Sequence, residues 1–323
     1  MSFQPVKLGV VGVGGFGLLH AKTLMGLAET QLVAVVDRRP DRLALVSPTP
    51  GWTDLNAALT ESEAEAWVVA SSTASHVAVT KAILYAGKPV LLEKPVATSL
   101  AEAKTLRPLV RRESSNLMMG HILLFNSELA QLRAEVARRG PIRFFNSVRH
   151  RPATTLDSYP GESPLRLLMV HDLYLAVAFL GSAEPDYFSC QLGRSPRGIN
   201  LVNAQLSWDD QTLASFAASY LTPPGMANDG FDRLEVFGDD WMARVEPNPR
   251  PIQLWHESAA WPMTLEIRAG DGQPTGMLAE ELRAFCRVVR GLEPVPAGAT
   301  YDDALQVLDW IEILESTTDE PND

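Results

Sequence analysis

Between Val6 and Gly120 short apolar runs alternate with stretches whose apolar positions recur every three or four residues. Val6–Val11, Gln31–Val36, Trp67–Ala70 and Val90–Leu92 read as strands buried on both faces, and segments such as Val77–Ala86 read as helices. That alternation predicts a doubly wound parallel sheet. Beyond residue 140 comes a strand, Ile142–His150, and from Pro185 onward strands dominate: Tyr187–Leu192, Leu201–Trp208, Thr212–Tyr220, Arg233–Phe237, Trp241–Glu246 and Ile252–His256. Asp209-Asp210-Gln211 and Gly238-Asp239-Asp240 supply hairpin turns between them. Helices are expected at 126–138 and 165–180 on one face of this second sheet, with Phe216, Trp208 and Leu206 on the other. An uncovered apolar face predicts a subunit interface, and so a homodimer or homotetramer. Two helices, Met277–Arg290 and Tyr301–Ser316, close the chain.

The first strand runs into Gly12-Val13-Gly14-Gly15-Phe16-Gly17, which satisfies G-x-G-x-x-G between a strand and a helix. Gly12 permits the tight turn, Gly14 the approach of a pyrophosphate, and Gly17 the close packing of helix on strand. With Gly15 and Phe16 these residues form the expected dinucleotide cradle, the helix N-terminus facing the phosphates. The next strand ends in Asp37, 20 residues beyond Gly17, where a carboxylate accepts hydrogen bonds from an adenosine ribose. Its charge disfavours a 2′-phosphate and points to NAD. Arg38 and Arg39, which can stack on adenine or hold that phosphate, keep NADP open. The fold class is therefore α/β: an N-terminal Rossmann domain over 1–121, then a substrate-binding and oligomerisation α+β domain over 122–323 with a large, mostly antiparallel open sheet.

Two further strand ends carry chemistry. Ser71, Ser72 and Thr73 either line the cofactor or cap the helix that follows, and His76 either touches ligand or is structural. Lys94, in Glu93-Lys94-Pro95, leaves a parallel strand just before a proline, which places it to meet a nicotinamide and a substrate hydroxyl; taken alone, the tripeptide also fits a solvated turn.

Composition narrows the partners. A net charge of −11 argues against nucleic acid or an anionic membrane, and no apolar run is long enough to span a bilayer. The partner expected is a small molecule. Cys190 and Cys286 form no disulfide framework, the six histidines show no metal-ligand spacing, and the first residues lack the features of a secretion signal, so a cytoplasmic location is expected.

The glycine turn with His20 three residues on, Asp37, Ser72-Thr73-x-x-His76, Glu93-Lys94-Pro95 and Gly120-His121, in that order, resemble the Gfo/Idh/MocA oxidoreductases, the family of inositol dehydrogenase and glucose–fructose oxidoreductase. The resemblance implies that Lys94 contacts substrate and nicotinamide, and that His171, ten residues before Gly181, is the histidine of the helix facing the nicotinamide. It also implies that the final helix packs back near the first domain. His121, Asn126 and Tyr174 join the substrate candidates, although Asn126 also suits a helix cap. Three positions depart from the family pattern: Leu124 for an arginine, and Leu167 and Tyr174 where aspartates are common near the histidine. Asp172 points about 100° away from His171 on a helix and cannot inherit that role. A polar loop after His150, running through Pro164, is a candidate lid, and Arg149, His150, Arg151, Asp157 and Tyr159 are either substrate groups or simply exposed.

The expected activity is NAD(P)-dependent hydride transfer at a hydroxyl-bearing carbon of a sugar, cyclitol or similar small polar molecule. Two alternatives stay open: a nucleotide-binding sensor without turnover, suggested by Leu167 and Leu124, and an imine or enone reductase, for which a weaker base suffices.

Overall fold

The computed structural model describes residues 4–223, 225–226, 230–248, 254–255, 259–260 and 276–317. They fall into two compact units, Met1–Phe125 with Leu265–Leu308, and Asn126–Thr264 with Asp309–Asp323.

The first unit starts with β1 (Val6–Val11), α1 (Gly15–Gly26), β2 (Thr30–Val36), a short α2 (Pro40–Leu43), β3 (Gly51–Trp52), α3 (Leu55–Glu61) and β4 (Ala66–Val69). It continues through α4 (Thr73–Tyr85), β5 (Val90–Glu93), α5 (Leu100–Lys104) and β6 (Leu117–Gly120). All six strands are parallel, in the order β3-β2-β1-β4-β5-β6. The order reverses between β1 and β4, where a doubly wound sheet opens a ligand crevice at its carboxyl edge. Every residue of β4, β5 and β6 is buried, which is why these strands read as unbroken apolar runs. Gly9 interrupts β1 because the fully buried Trp67 ring lies against it: a Cβ there would sit 2.3 Å from the ring.

The second unit opens with α6 (Ser127–Val136), β7 (Ile142–Pro152), α7 (Thr155–Ser158) and α8 (Val170–Leu180). Then come β8 (Tyr187–Ser195), β9 (Gly198–Ser207), β10 (Leu213–Thr222), β11 (Phe231–Gly238) and β12 (Trp241–Asn248). Their sheet runs β12-β11-β7-β10-β9-β8 and is antiparallel except for the β7–β10 pair. Both expected hairpin turns are present, with Gln211 and Asp240 at positive φ. Leu254–Trp255 (β13) pairs with Ala259–Ala260 (β14); the other residues expected for the Ile252–His256 strand lie outside the described residues.

Two expectations for this unit are corrected. Phe216 and Leu206 are buried rather than on the bare face. Phe216 packs on Phe145, which meets Phe179 of α8, so theirs is the face under the helix. Trp208 packs edge-on against Trp310. The open face carries the alternate set instead, with Phe144 against Phe237 and with Leu213 and Met242 about half exposed. The helix expected from residue 165 begins as a π turn over Leu165–Met169, in which the Val170 N–H reaches back five residues to the Leu165 carbonyl.

The chain ends with α9 (Met277–Val289) and α10 (Tyr301–Ser316). Tyr301, Ala304 and Leu308 belong to the same core as Trp67, Leu92 and Met119 of the first unit. Residues from Asp309 onward belong to the second, where the Trp310 indole N–H donates to Glu184 at 2.7 Å.

Candidate active site

At the carboxyl ends of β1, β2 and β4 lies a groove of about 660 Å³. Gly12, Gly14, Gly15, Phe16, Asp37, Arg38, Ser71 and Ser72 line it, joined by Arg39, Arg42 and Ser75. Thr73 begins α4 and is not among the lining residues. The glycine turn is a steric necessity at two points. Gly12 has φ +90°, and a Cβ there would meet Ala70 O and Ser71 Cα at 2.7 Å; a Cβ on Gly17 would stand 1.8 Å from Gly12 O. Gly14 caps α1 with no side-chain acceptor, and the first turn holds no acidic residue. The leading N–H groups therefore face the groove without a competing anion, as a bound phosphate requires.

Asp37 closes the turn. Its Oδ2 accepts from the Val13 N–H at 2.7 Å, its Oδ1 from the Arg39 N–H at 2.9 Å, and the Arg42 guanidinium lies 3.8 Å away. A carboxylate has lone pairs beyond these two bonds, so ribose hydroxyls fit the same oxygens. The Arg39 side chain is spent on Asp41, at 2.6 Å. Arg42 was absent from the sequence reading because its place depends on α2, a single turn with no apolar periodicity to betray it. Ser75 had a signal: its Oγ meets that of Ser71, four residues earlier, at 2.8 Å.

The end of β5 delivers Glu93 to the interior and Lys94 to the edge, and the Lys94–Pro95 peptide is cis. Glu93 Oε1 lies 2.7 Å from His20 Nε2, and Oε2 accepts the Lys94 N–H at 3.3 Å. Phe16 stands edge-on to His20 at 5.1 Å. His76 is buried beneath the groove, Nδ1 2.8 Å from the Pro95 carbonyl and Nε2 3.1 Å from that of Ser71, so it ties two loops together instead of facing ligand. Burial lowers its pKa, and a neutral imidazole donates to one of the two carbonyls. His121 is also buried, with Nδ1 against the Gly298 carbonyl, and burial pushes it down to about 4.

In the second unit, α8 carries His171, half-buried, and Tyr174, fully buried. The Tyr174 hydroxyl lies 2.7 Å from His171 Nδ1. Asp172 points away from that pair: Arg149 donates to both its oxygens at 3.0 Å, and Ser147 Oγ donates at 2.7 Å. Arg149 and Arg151 also hold Asp232, so the two arginines named as substrate candidates are engaged in an internal network. Asp157 pairs with Arg197, while Tyr159 is half exposed. The π turn shifts Leu167 out of simple α register with His171; its neighbour Arg166 pairs with Glu315. Asn126 is buried and caps α6, its Oδ1 accepting the Leu129 N–H at 2.9 Å.

Comparison with known proteins identifies the family and the fold. Residues 6–121 match the model of the Gfo/Idh/MocA oxidoreductase family, NAD-binding Rossmann fold. Inositol 2-dehydrogenase 1 of Saccharopolyspora erythraea is 30% identical over 88% of this chain and 83% of its own length. Inositol 2-dehydrogenase of Rhizobium meliloti is 23% identical over 94% and 95%. The fold matches that of scyllo-inositol dehydrogenase from Lactobacillus casei, solved with bound NAD(H) and scyllo-inositol, with a TM-score of 0.82 at 19% identity over 98% of this chain and 97% of that one.

Proposed function

Because this chain belongs to the Gfo/Idh/MocA family of NAD-binding oxidoreductases, we propose that it oxidises a secondary hydroxyl of a cyclitol of the inositol type, with NAD as the acceptor. The observation that carries the reading is the common edge of the first sheet. The glycine turn, Asp37 and Lys94 all stand at carboxyl ends of its strands, one set suited to a diphosphate and ribose, the other to a reacting hydroxyl.

NAD fits the residues present: an α1 N-terminus without a side-chain cap, a turn with no room for Cβ atoms at Gly12 and Gly17, and a carboxylate at the end of β2. Gly12, Gly14, Gly15, Phe16, Asp37, Arg38, Ser71 and Ser72 would hold it, and bound there it supplies the hydride acceptor. Asp37 selects NAD over NADP by charge.

Lys94 donates a hydrogen bond to the reacting hydroxyl oxygen and stabilises the negative charge that grows there. His171 takes the hydroxyl proton at Nε2, since Nδ1 is engaged by Tyr174. The Tyr174 hydroxyl orients the ring in place of a carboxylate, which gives His171 a fixed orientation without the added charge of an aspartate. This bond favours turnover over the sensor reading.

The same reading includes a homo-oligomer formed through the open face of the second sheet, where Leu213 and Met242 are exposed, and a cytoplasmic location in keeping with two free cysteines. None of the described helices is long and apolar enough to cross a membrane.

Titration of the purified protein with NADH and NADPH, read by tryptophan-to-nicotinamide energy transfer, tests the cofactor. NAD reduction with myo- and scyllo-inositol and a panel of aldoses tests the substrate. Tight NADH binding with turnover of a cyclitol supports the reading; turnover of aldoses alone overturns the cyclitol assignment.

A further inference from the structure

Behind Lys94, inside the first unit, three ionisable side chains meet in the buried interior. His20 of α1, Glu93 of β5 and Glu281 of α9 are all buried, and each offers a ligand atom within 4.8 Å of the others. Glu93 is fully engaged, by His20 on one oxygen and by the Lys94 N–H on the other. Among the described residues neither Glu281 oxygen has a hydrogen-bond partner, and His20 Nδ1 has none. The space is tight around Glu93: a Cβ on Gly120 would lie 2.9 Å from its Oε1, so its carboxylate fits because β6 ends in glycine.

Two ionised carboxylates this close in a dry interior repel strongly, and the unpartnered one bears the full cost of desolvation. A proton on Glu281 removes that repulsion at once. We propose that Glu281 is a neutral carboxylic acid at ordinary pH and a positioning residue for Lys94: by keeping its proton it lets Glu93 stay ionised against His20 and the Lys94 backbone, which fixes the turn from which the lysine projects. Burial, and then the charge of Glu93, raise the Glu281 carboxyl well above the usual range. The titratable groups that meet it are His20 from α1 and Glu93 from β5; beyond Glu93 lie Lys94 and the buried His121, kept neutral by its own burial. Glu281 stands 188 residues after Glu93, so no local pattern announces the trio.

The inference deepens the role assigned to Lys94 and rests on it for its kinetic arm, but not for its spectroscopic one. The protein as isolated should show the infrared carbonyl band of a protonated carboxylic acid at neutral pH, and Glu281→Gln should remove that band. Glu281→Leu should lower kcat about tenfold with little change in NADH affinity, and Glu281→Gln, isosteric with the neutral acid, should restore most of the loss. The alkaline fall of kcat should move to higher pH in Glu281→Gln, which has no proton to lose. An acid band unchanged in Glu281→Gln overturns the proposal. So does a divalent metal that copurifies one to one with the protein and is lost in Glu281→Gln, for the trio would then be a cation site. Absence of turnover with every polyol would defeat the activity reading while leaving the infrared test to decide the proton.

Discussion

Tyr174 lies one turn after His171 on α8, and its hydroxyl stands 2.7 Å from the imidazole Nδ1. An orienting partner of this kind holds the ring plane, so its removal should appear in the chemical step. Tyr174→Phe is expected to lower kcat by about tenfold, the worth of roughly 1.4 kcal/mol, with KM for the polyol little changed. Steady-state kinetics against the wild type check it; an equal kcat would take His171 Nδ1 out of the mechanism.

Asp37 bonds two backbone N–H groups and faces the groove. Asp37→Ala should weaken NADH binding ten- to a hundredfold, in line with about 1.5–3 kcal/mol for a charge-assisted bond, and narrow the preference over NADPH. Paired titrations with both nucleotides measure it.

Gly17 and Gly15 should separate cleanly. A Cβ on Gly17 would lie 1.8 Å from a backbone oxygen, so Gly17→Ala must displace the turn, whereas a Cβ on Gly15 meets nothing within 4 Å. We expect Gly17→Ala to lose nucleotide affinity and lower Tm, and Gly15→Ala to fold as the wild type does. Thermal melts with and without NADH report both.

The network around Arg149 is buried on both sides, with Asp172 and Asp232 as its counter-charges. Asp172→Leu leaves a buried guanidinium with half its partners, which costs about 3–5 kcal/mol. Denaturant unfolding should show that loss as a lower midpoint.

His121 makes stability depend on pH in a defined window. Its folded pKa is depressed from 6.5 to about 4, so the unfolded chain takes up a proton that the folded one refuses. The stabilising contribution is full above 6.5 and is lost as pH falls toward about 4, a loss of about 3 kcal/mol. Denaturation midpoints measured across that range should fall less steeply in His121→Asn.

The glycine turn and Asp37 were legible because their demands are local: a steric collision at Gly17 and a fixed length of helix and strand before the carboxylate. The two sheets were legible because burial on two faces or one leaves different periods in the sequence. Alternation, however, groups Phe216 with Leu206 without saying which face a helix will cover, and that face was misassigned. The π turn at Leu165–Met169 inserts a residue without disturbing the run of apolar side chains, so the relation of Leu167 to His171 could not be counted along an ideal helix. Asp172 was correctly set apart from His171 by helical geometry alone, but its partner Arg149 required the fold.

The core beneath the nucleotide-binding strands is completed by Tyr301, Ala304 and Leu308. During translation, then, the whole parallel sheet leaves the ribosome long before the helix that seals it, with most of the second unit, residues 126–264, synthesised in between. A nascent chain that has passed residue 125 still shows apolar surface where that helix will lie, and transiently exposed surface of that kind is what makes a partly folded chain prone to aggregate. A chain stalled before Tyr301 would expose that surface, however intact its glycine turn.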